Sequence, residues 1–443
     1  MGASVWSSRV TAPLAPSALP AAPASSPPPP AAPPEAVPRG VRRLVAALTY
    51  RDFRILWSGA CTSSIGTWMQ EVAQNWLVLD LTNSPYYLAL DAFLGELPIL
   101  LFTLIGGVVA DRRDRRRVLL ISQFVQMGSA FVLAALVLTG RVEVWHVLLL
   151  SFVTGCAQAF GGPAYQSLIP SLVRKESLPN AVALNSIQFN IARVLGPLAA
   201  AWTLHHFGSA ACFGLNGLSF LVVIAALVSL RLPAAVLTKP RRMRDELATG
   251  LRYVGEDPAL RTLTVLAFAS TFLGVPLMTF LPVFARFVYH GGVGEYSEMM
   301  AWSGVGAIAG ALVVAWLGRF PKMRLTALLL QLAAGSLIVV FALTKTLWLT
   351  NILLLVTGAA IMITFSLYTS LVQLIAPNEM RGRVMSVYMV AFRGGMPLGS
   401  LATGLTIDRL GAPAALAING ALLTAVAAWF LIRRGSLQEL RQA

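Results

Sequence analysis

The sequence predicts an all-α integral membrane protein whose twelve transmembrane helices form two six-helix pseudo-symmetric bundles, and three observations carry that prediction. Hydrophobic side chains make up 56% of the chain and charged ones only 12%, where a soluble domain carries roughly 25% charged residues. The apolar residues gather into twelve runs of about the 20 residues that a bilayer-crossing helix needs. Finally, the first six runs and the last six share residues at one constant shift along the chain.

In chain order, residues 1–40 are rich in Ala, Pro and Ser, with Pro27 to Pro30 consecutive. Such a stretch cannot bury enough apolar surface to fold and lacks the apolar core of a signal peptide, so it reads as a disordered cytoplasmic tail. Apolar runs follow near 55–79, 86–110, 118–139, 145–169, 181–205 and 210–230, which define an N-terminal six-helix bundle over 41–230. The polar stretch 231–261 is a cytoplasmic linker. Runs near 262–288, 297–318, 325–344, 348–372, 384–407 and 413–432 give a second bundle over 262–432, and 433–443 is a second cytoplasmic tail.

A net charge of +15 in a soluble domain would suggest a nucleic-acid partner. Here the positions of the cations give another reading. Of the 34 Lys and Arg, only Arg141, Arg286, Lys345 and Arg409 fall in loops of one side, and only Arg193 and Arg393 fall inside spans. The rest lie on the other side, which the positive-inside rule assigns to the cytoplasm together with both termini. No nucleic-acid partner is expected. Cys61, Cys156 and Cys212 sit in apolar runs without paired spacing, and the His pair 205 and 206 lies at a helix end, so neither a disulfide, a metal nor any other cofactor is expected.

The shift that relates the halves is 203 residues: Tyr165, Ser167, Leu168, Glu176, Gly196, Gly208, Asn216 and Gly217 match Tyr368, Ser370, Leu371, Glu379, Gly399, Gly411, Asn419 and Gly420. After the second run the chain reads Gly107-Val-Val-Ala-Asp111-Arg112-Arg113-Asp114-Arg115-Arg116-Arg117. Cations alone would anchor the turn; the acid is what a simple anchor leaves unexplained. The segment resembles the motif between the second and third helices of the major facilitator superfamily, whose proteins are built from parallel six-helix repeats. That resemblance implies a charge latch favouring the outward-open state, with Gly107, Asp111, Arg112 and Arg115 as gating residues and Gly107 allowing close helix approach. Asp114 stands where many members have Gly, and the matching turn from Gly310 to Arg324 lacks the acid.

Further segments narrow the likeness: Arg51-Asp-Phe-Arg54, Gly66-Thr-Trp68-Met69-Gln70, Trp76-Leu-Val-Leu, Leu81-Thr-Asn-Ser84-Pro85, Gly250-Leu-Arg-Tyr253 and Gly394-Gly-Met-Pro397-Leu-Gly399. Together, over about 42–432, they are similar to the branch containing the enterobactin exporter and macrolide or multidrug efflux pumps.

Ionisable groups inside spans cost roughly 2.5 to 3.5 kcal/mol on insertion scales and are functional candidates by default. In the first run, Ser64, Thr67, Glu71, Gln74 and Asn75 recur at helical spacing and should face a central cavity, because lipid cannot solvate them. Glu71 and Glu96 are the leading proton-coupling candidates, with Asp91 a third whose alternative is an acid near the interface. Arg193, on one face with Ser186 and Asn190, is expected to pair with one of these carboxylates; direct binding of an anionic substrate is the alternative. Arg393 lies near mid-membrane. Gln158, Tyr165 and Tyr368 are candidate cavity groups, with structural hydrogen bonding as the alternative role.

No GxxxxGK[ST] sequence occurs, so the chain carries no phosphate-binding loop for driving export with ATP. The expectation is a monomeric secondary transporter of the bacterial plasma membrane that exports a small molecule by alternating access, its partners being that substrate, protons and the bilayer. A lysophospholipid flippase of similar fold is the alternative within transport. An enzyme or a non-transporting receptor is the alternative from another class, and no convergent nucleophile and base support the first of these.

Overall fold

The computed structural model describes residues 46–231 and 243–433 together with Gly2, leaving aside the side chains of Asp111 and of 243–246. Nearly all of the expected tails at 1–40 and 433–443, and the middle of the expected linker, lie outside the described residues.

Every apolar run folds as helix. The long helices are α1 Arg51–Thr82, α2 Pro85–Arg112, α3 Arg115–Leu138, α4 Val144–Leu168 and α5 Leu178–Ser229; then α6 Met243–Glu256, α7 Pro258–Gly274, α8 Val293–Leu317, α9 Met323–Leu343, α10 Leu347–Ile375, α11 Arg381–Leu410 and α12 Ala412–Ile432. Their ends follow local chemistry. Asn83, left-handed at φ 50, ends α1, and Pro85 opens α2, where a missing N–H costs nothing. Asp114 caps α3 by accepting from the Arg116 amide at 2.9 Å, and Asp257 caps α7 by accepting from the amides of Ala259 and Leu260 at 2.8 and 2.9 Å. Beyond α7, Pro276 and Pro282 interrupt the backbone ladder, and the chain continues through the short helices Pro276–Thr279 and Leu281–Val283 and a π-turn at Phe284–Val288.

Among the described residues, nine helical stretches are long and apolar enough to cross a membrane. The difference from twelve has physical reasons. Lys175–Ser229 counts as one stretch although the backbone breaks inside α5 at Gly208 (φ 77, ψ 178). Polar groups dilute α1 and α11: Glu71, Gln74 and Asn75 in the first, Arg393, Asp408 and Arg409 in the second.

The repeat written in the sequence has a counterpart in the backbone. Gly411 has φ 80 and ψ 160, almost the conformation of Gly208, in a region open essentially to glycine alone. Matched glycines also fill matched contacts. A Cβ on Gly196 would strike α1 at Trp68, and one on Gly399 would strike α7 at Phe272. Gly217 meets Phe131 of α3, as Gly420 meets Gly335 and Val339 of α9. Gly155 lies on Gly95 of α2, as Gly358 lies on Ser303 of α8. The part of the expected linker that is described forms α6, whose Gly250 packs on the Arg383 backbone of α11.

Three apolar cores divide the molecule along its length. The turns with Arg112 to Arg117, Arg174, Lys175, Arg319, Lys322, Arg381 and Arg383 lie at one end, here called the basic end. Toward that end there are two separate cores. One draws on Ala47 to Leu230, including Phe53, Leu119 and Leu227; the other draws on Leu247 to Leu431, including Leu260, Tyr368 and Tyr388. Toward the opposite end a single core joins residues from α1 to α5 with residues from α7 to α12, among them Val78, Phe213, Phe280, Tyr296 and Phe341. The two parts of the molecule are thus packed together at one end only. Large apolar side chains cover the outside, with Trp145 and Trp348 exposed near one rim and Trp316 and Trp429 near the other, the pattern of aromatic belts at the two interfaces of a bilayer.

Candidate functional site

Two seams bring together helices far apart in the chain: α2 packs on α11, and α5 on α8. Small residues let them close. Gly404 of α11 lies against Ala89 and Pro85 of α2, and a Cβ on Gly304 of α8 would stand 3.2 Å from the Arg193 carbonyl of α5. Between the seams, the shared core closes one end, the cores are separate toward the basic end, and the mid-helix side chains of Glu71 and Arg393 are exposed, which together outline a cleft.

Four charged side chains come together in this cleft from α1, α2, α5 and α11. Arg393 Nη1 and Glu96 Oε2 approach to 3.7 Å across the α2–α11 seam, with side chains 50% and 37% exposed. That distance is beyond a hydrogen bond, so the pair is loose and solvated. Glu71 is exposed although it lies mid-helix, in electrostatic reach of Glu96, Arg193 and Asp91. The Arg193 guanidinium stands 5.8 Å over the Trp68 ring, and Phe189 meets another edge of that ring. Arg193, expected to pair with a carboxylate, makes no described ion pair within 4 Å; Glu71 lies within its electrostatic reach, and its guanidinium lies over Trp68.

Asp91 lies apart from these four. It is 4% exposed, receives Gln74 Nε2 on Oδ2 at 2.8 Å and bonds Ser151 Oγ through Oδ1 at 2.5 Å; Gln74 reaches Ser151 as well, at 2.9 Å. This network ties α1, α2 and α4. Gln74 is thereby spent inside the helix contacts instead of in the cleft.

The capped end carries a polar fastening. Asp80 of α1 accepts from Arg286 Nη1 at 2.6 Å. Arg286 also lies 5.9 Å over the Trp76 ring, Trp76 stacks on Tyr296 of α8, and Asn75 donates to the Tyr296 hydroxyl at 3.0 Å. Sequence reading passed over Asp80, Trp76, Arg286 and Tyr296 as site residues. A signal was present: Arg286 is one of the few cations on the arginine-poor side, and a cation placed against that trend needs a partner.

The remaining candidates are distributed. Gln158 of α4 is exposed. Tyr165 donates to Asn185 Oδ1 at 2.8 Å, Asn190 donates to the Ser186 carbonyl at 2.8 Å, and Tyr368, 1% exposed, donates to Gln331. Of the charged turn, Arg115 donates to the Ser167 carbonyl at 3.2 Å, Arg116 to the Val228 carbonyl, and Arg112 is exposed at the end of α2. The Asp111 side chain lies outside the described residues. Gly107 meets nothing within 4 Å, so the close helix approach expected there is absent in this conformation; its neighbour Gly106 makes it instead, against Ala159.

Comparison with known proteins gives a consistent result. A family model described as transmembrane secretion effector matches residues 44–442. The multidrug efflux pump Tap of Mycolicibacterium fortuitum is 30% identical over 84% of this chain and 94% of its own length. The staphyloferrin A transporter of Staphylococcus aureus is 24% identical over 80% of this chain and 89% of its own. Among solved structures, a bacterial homologue of the human lysosomal transporter Spinster, in an inward-facing and unoccupied conformation, superposes with a TM-score of 0.70 at 15% identity, covering 90% of this chain and 99% of that one.

Proposed function

The chain belongs to the transmembrane secretion effector family of the major facilitator superfamily, a family of multi-pass membrane transporters and not of enzymes, and from that premise we propose that it is a proton-coupled exporter of a small molecule working by alternating access. The observation that carries this reading is the cleft between the seams, charged at mid-depth, fastened at one end by Asp80 and Arg286 and open at the other. A site reachable from one side at a time is what alternating access requires.

On this reading the chain crosses the membrane twelve times, as two six-helix bundles. Lys175–Ser229 is two spans bent at Gly208, and α1 and α11 cross because their polar groups face the cleft and the partner helices instead of lipid. The positive-inside rule assigns the basic end and both termini to the cytoplasm of a bacterial plasma membrane. The conformation is then inward-facing. Glu71 and Glu96 exchange protons with the cycle; Gln158, Tyr165, Asn190, Arg193 and Arg393 contribute to the substrate path, and Gly107, Asp111, Arg112 and Arg115 to the latch that closes the cytoplasmic side. One chain supplies both halves of the cleft, so a monomer suffices.

The test is transport in proteoliposomes under an imposed pH gradient, using fluorescein and rhodamine 123 as cargo. Glu71→Gln or Glu96→Gln is expected to lower gradient-driven transport by about tenfold or more while counterflow without a gradient persists, since a proton site acts on the driving step. Wild-type gradient-driven rates in both variants would refute the coupling.

A further inference from the structure

The charged groups of the cleft differ from Asp91 and Asp80 in having no hydrogen-bond partner among the described residues. Asp91 has two hydrogen-bond partners and Asp80 has Arg286 at 2.6 Å. Among the described residues, Glu71, Glu96, Arg193 and Arg393 have no hydrogen bond at all and share one ion pair at 3.7 Å. Charged groups that are costly to place in a membrane, and that face the cleft without a hydrogen-bond partner in the protein, are open to a ligand.

Which ligand follows from what can and cannot lose its charge. A guanidinium stays protonated in proteins, whereas a carboxylate can be neutralised by a proton. With both Glu71 and Glu96 ionised, the four groups sum to zero; once either takes a proton, the cleft is positive. The four together are never net negative. Asp91 is buried in its own network, and Asp80 and Arg286 cancel at the capped end. The open end is rimmed by Arg112 to Arg117, Arg174, Lys175, Arg381 and Arg383, a field that concentrates anions at the mouth.

We propose that the cleft takes an organic anion, whose carboxylate docks on Arg393 in the place that Glu96 holds loosely when the site is empty. A ligand carboxylate can make two parallel N–H···O bonds to a guanidinium, which Glu96 at 3.7 Å does not. Glu96 is then an internal competitor for Arg393, and Arg193 adds a second fixed positive charge. This rests on the exporter reading and names its cargo class.

Fluorescein and rhodamine 123 share a ring system, but the first is an anion with a free carboxylate and the second a cation whose carboxyl is esterified, so the pair tests for an anionic carboxylate. Anisotropy titrations of the purified full chain in detergent are expected to give fluorescein an affinity about tenfold or more above that of rhodamine 123. Arg393→Gln is expected to lower fluorescein affinity by about tenfold and Arg393→Lys by less, the latter also reporting that the variant folds. Glu96→Gln is expected to raise fluorescein affinity, a gain that loss of structure cannot produce. Fluorescein binding no tighter than that of rhodamine 123, or not raised in Glu96→Gln, overturns the proposal. The two readings fail separately: counterflow of rhodamine 123 without fluorescein would sink the anion class and leave the exporter, whereas fluorescein bound but not carried would sink the exporter and leave the anion site.

Discussion

At the scale of single residues, the charged side chains of the cleft were visible in the sequence because of their cost. Glu71, Glu96, Arg193 and Arg393 stand out in apolar runs, and all four meet in one cleft. What they do to one another was not visible. Glu96 and Arg393 come from opposite halves, and Arg193, expected on a carboxylate, lies on the face of Trp68. A single sequence carries no signal for a contact between residues so distant along the chain. Gln74 read as a cavity group because its helical spacing fits the polar stripe, but it bonds Asp91 and Ser151. Removing the second of those partners tests the network: Ser151→Ala leaves Asp91 Oδ1 without its hydroxyl and is expected to cost about 1–3 kcal/mol, seen as a lower thermal midpoint in detergent. Gly208 and Gly411, at φ 77 and 80, are expected to behave as a matched pair. Alanine at either costs about 1–3 kcal/mol, and a midpoint lowered by one substitution but not by the other would break the structural equivalence drawn between them.

At the scale of elements, the apolar helices were legible apart from a few residues at their ends, since length and apolarity decide them, whereas α6 read only as linker. Their partners were legible only through glycine. Gly196 and Gly399, and Gly155 and Gly358, were matched in sequence or by the same shift, and each pair packs on corresponding helices of its half. The breaks in the α7 region were signalled by Pro276 and Pro282, though not the π-turn that follows. The fastening between α1 and the segment after α7 was missed, because an acid at one helix end and an arginine at another become a pair only in three dimensions. It makes a clear prediction. Asp80→Asn removes the 2.6 Å ion pair and is expected to raise, severalfold, the rate at which an impermeant maleimide added at the capped end labels a cysteine placed at Glu71, in a background lacking the native cysteines. An unchanged rate would mean that the shared apolar core alone holds that end.

At the scale of the whole molecule, α2 packs on α11 and α5 on α8, with one apolar core at the capped end and two separate cores at the basic end. The sequence implied the division through its repeat, but not which end would be closed, since both conformations of such a molecule use the same residues. On the exporter reading, the two ends open and close in opposition. Spin labels at Glu176 and Glu379 report the basic end, and labels at Thr139 and Thr346 report the capped end; all four positions are exposed. Pulsed dipolar distance measurements on the reconstituted protein should give one dominant distance for each pair. On introducing Asp80→Asn, the basic-end labels should draw together while the capped-end labels part. Two distances that move in the same direction, or a capped end that widens with no change at the basic end, would contradict alternating access about this cleft.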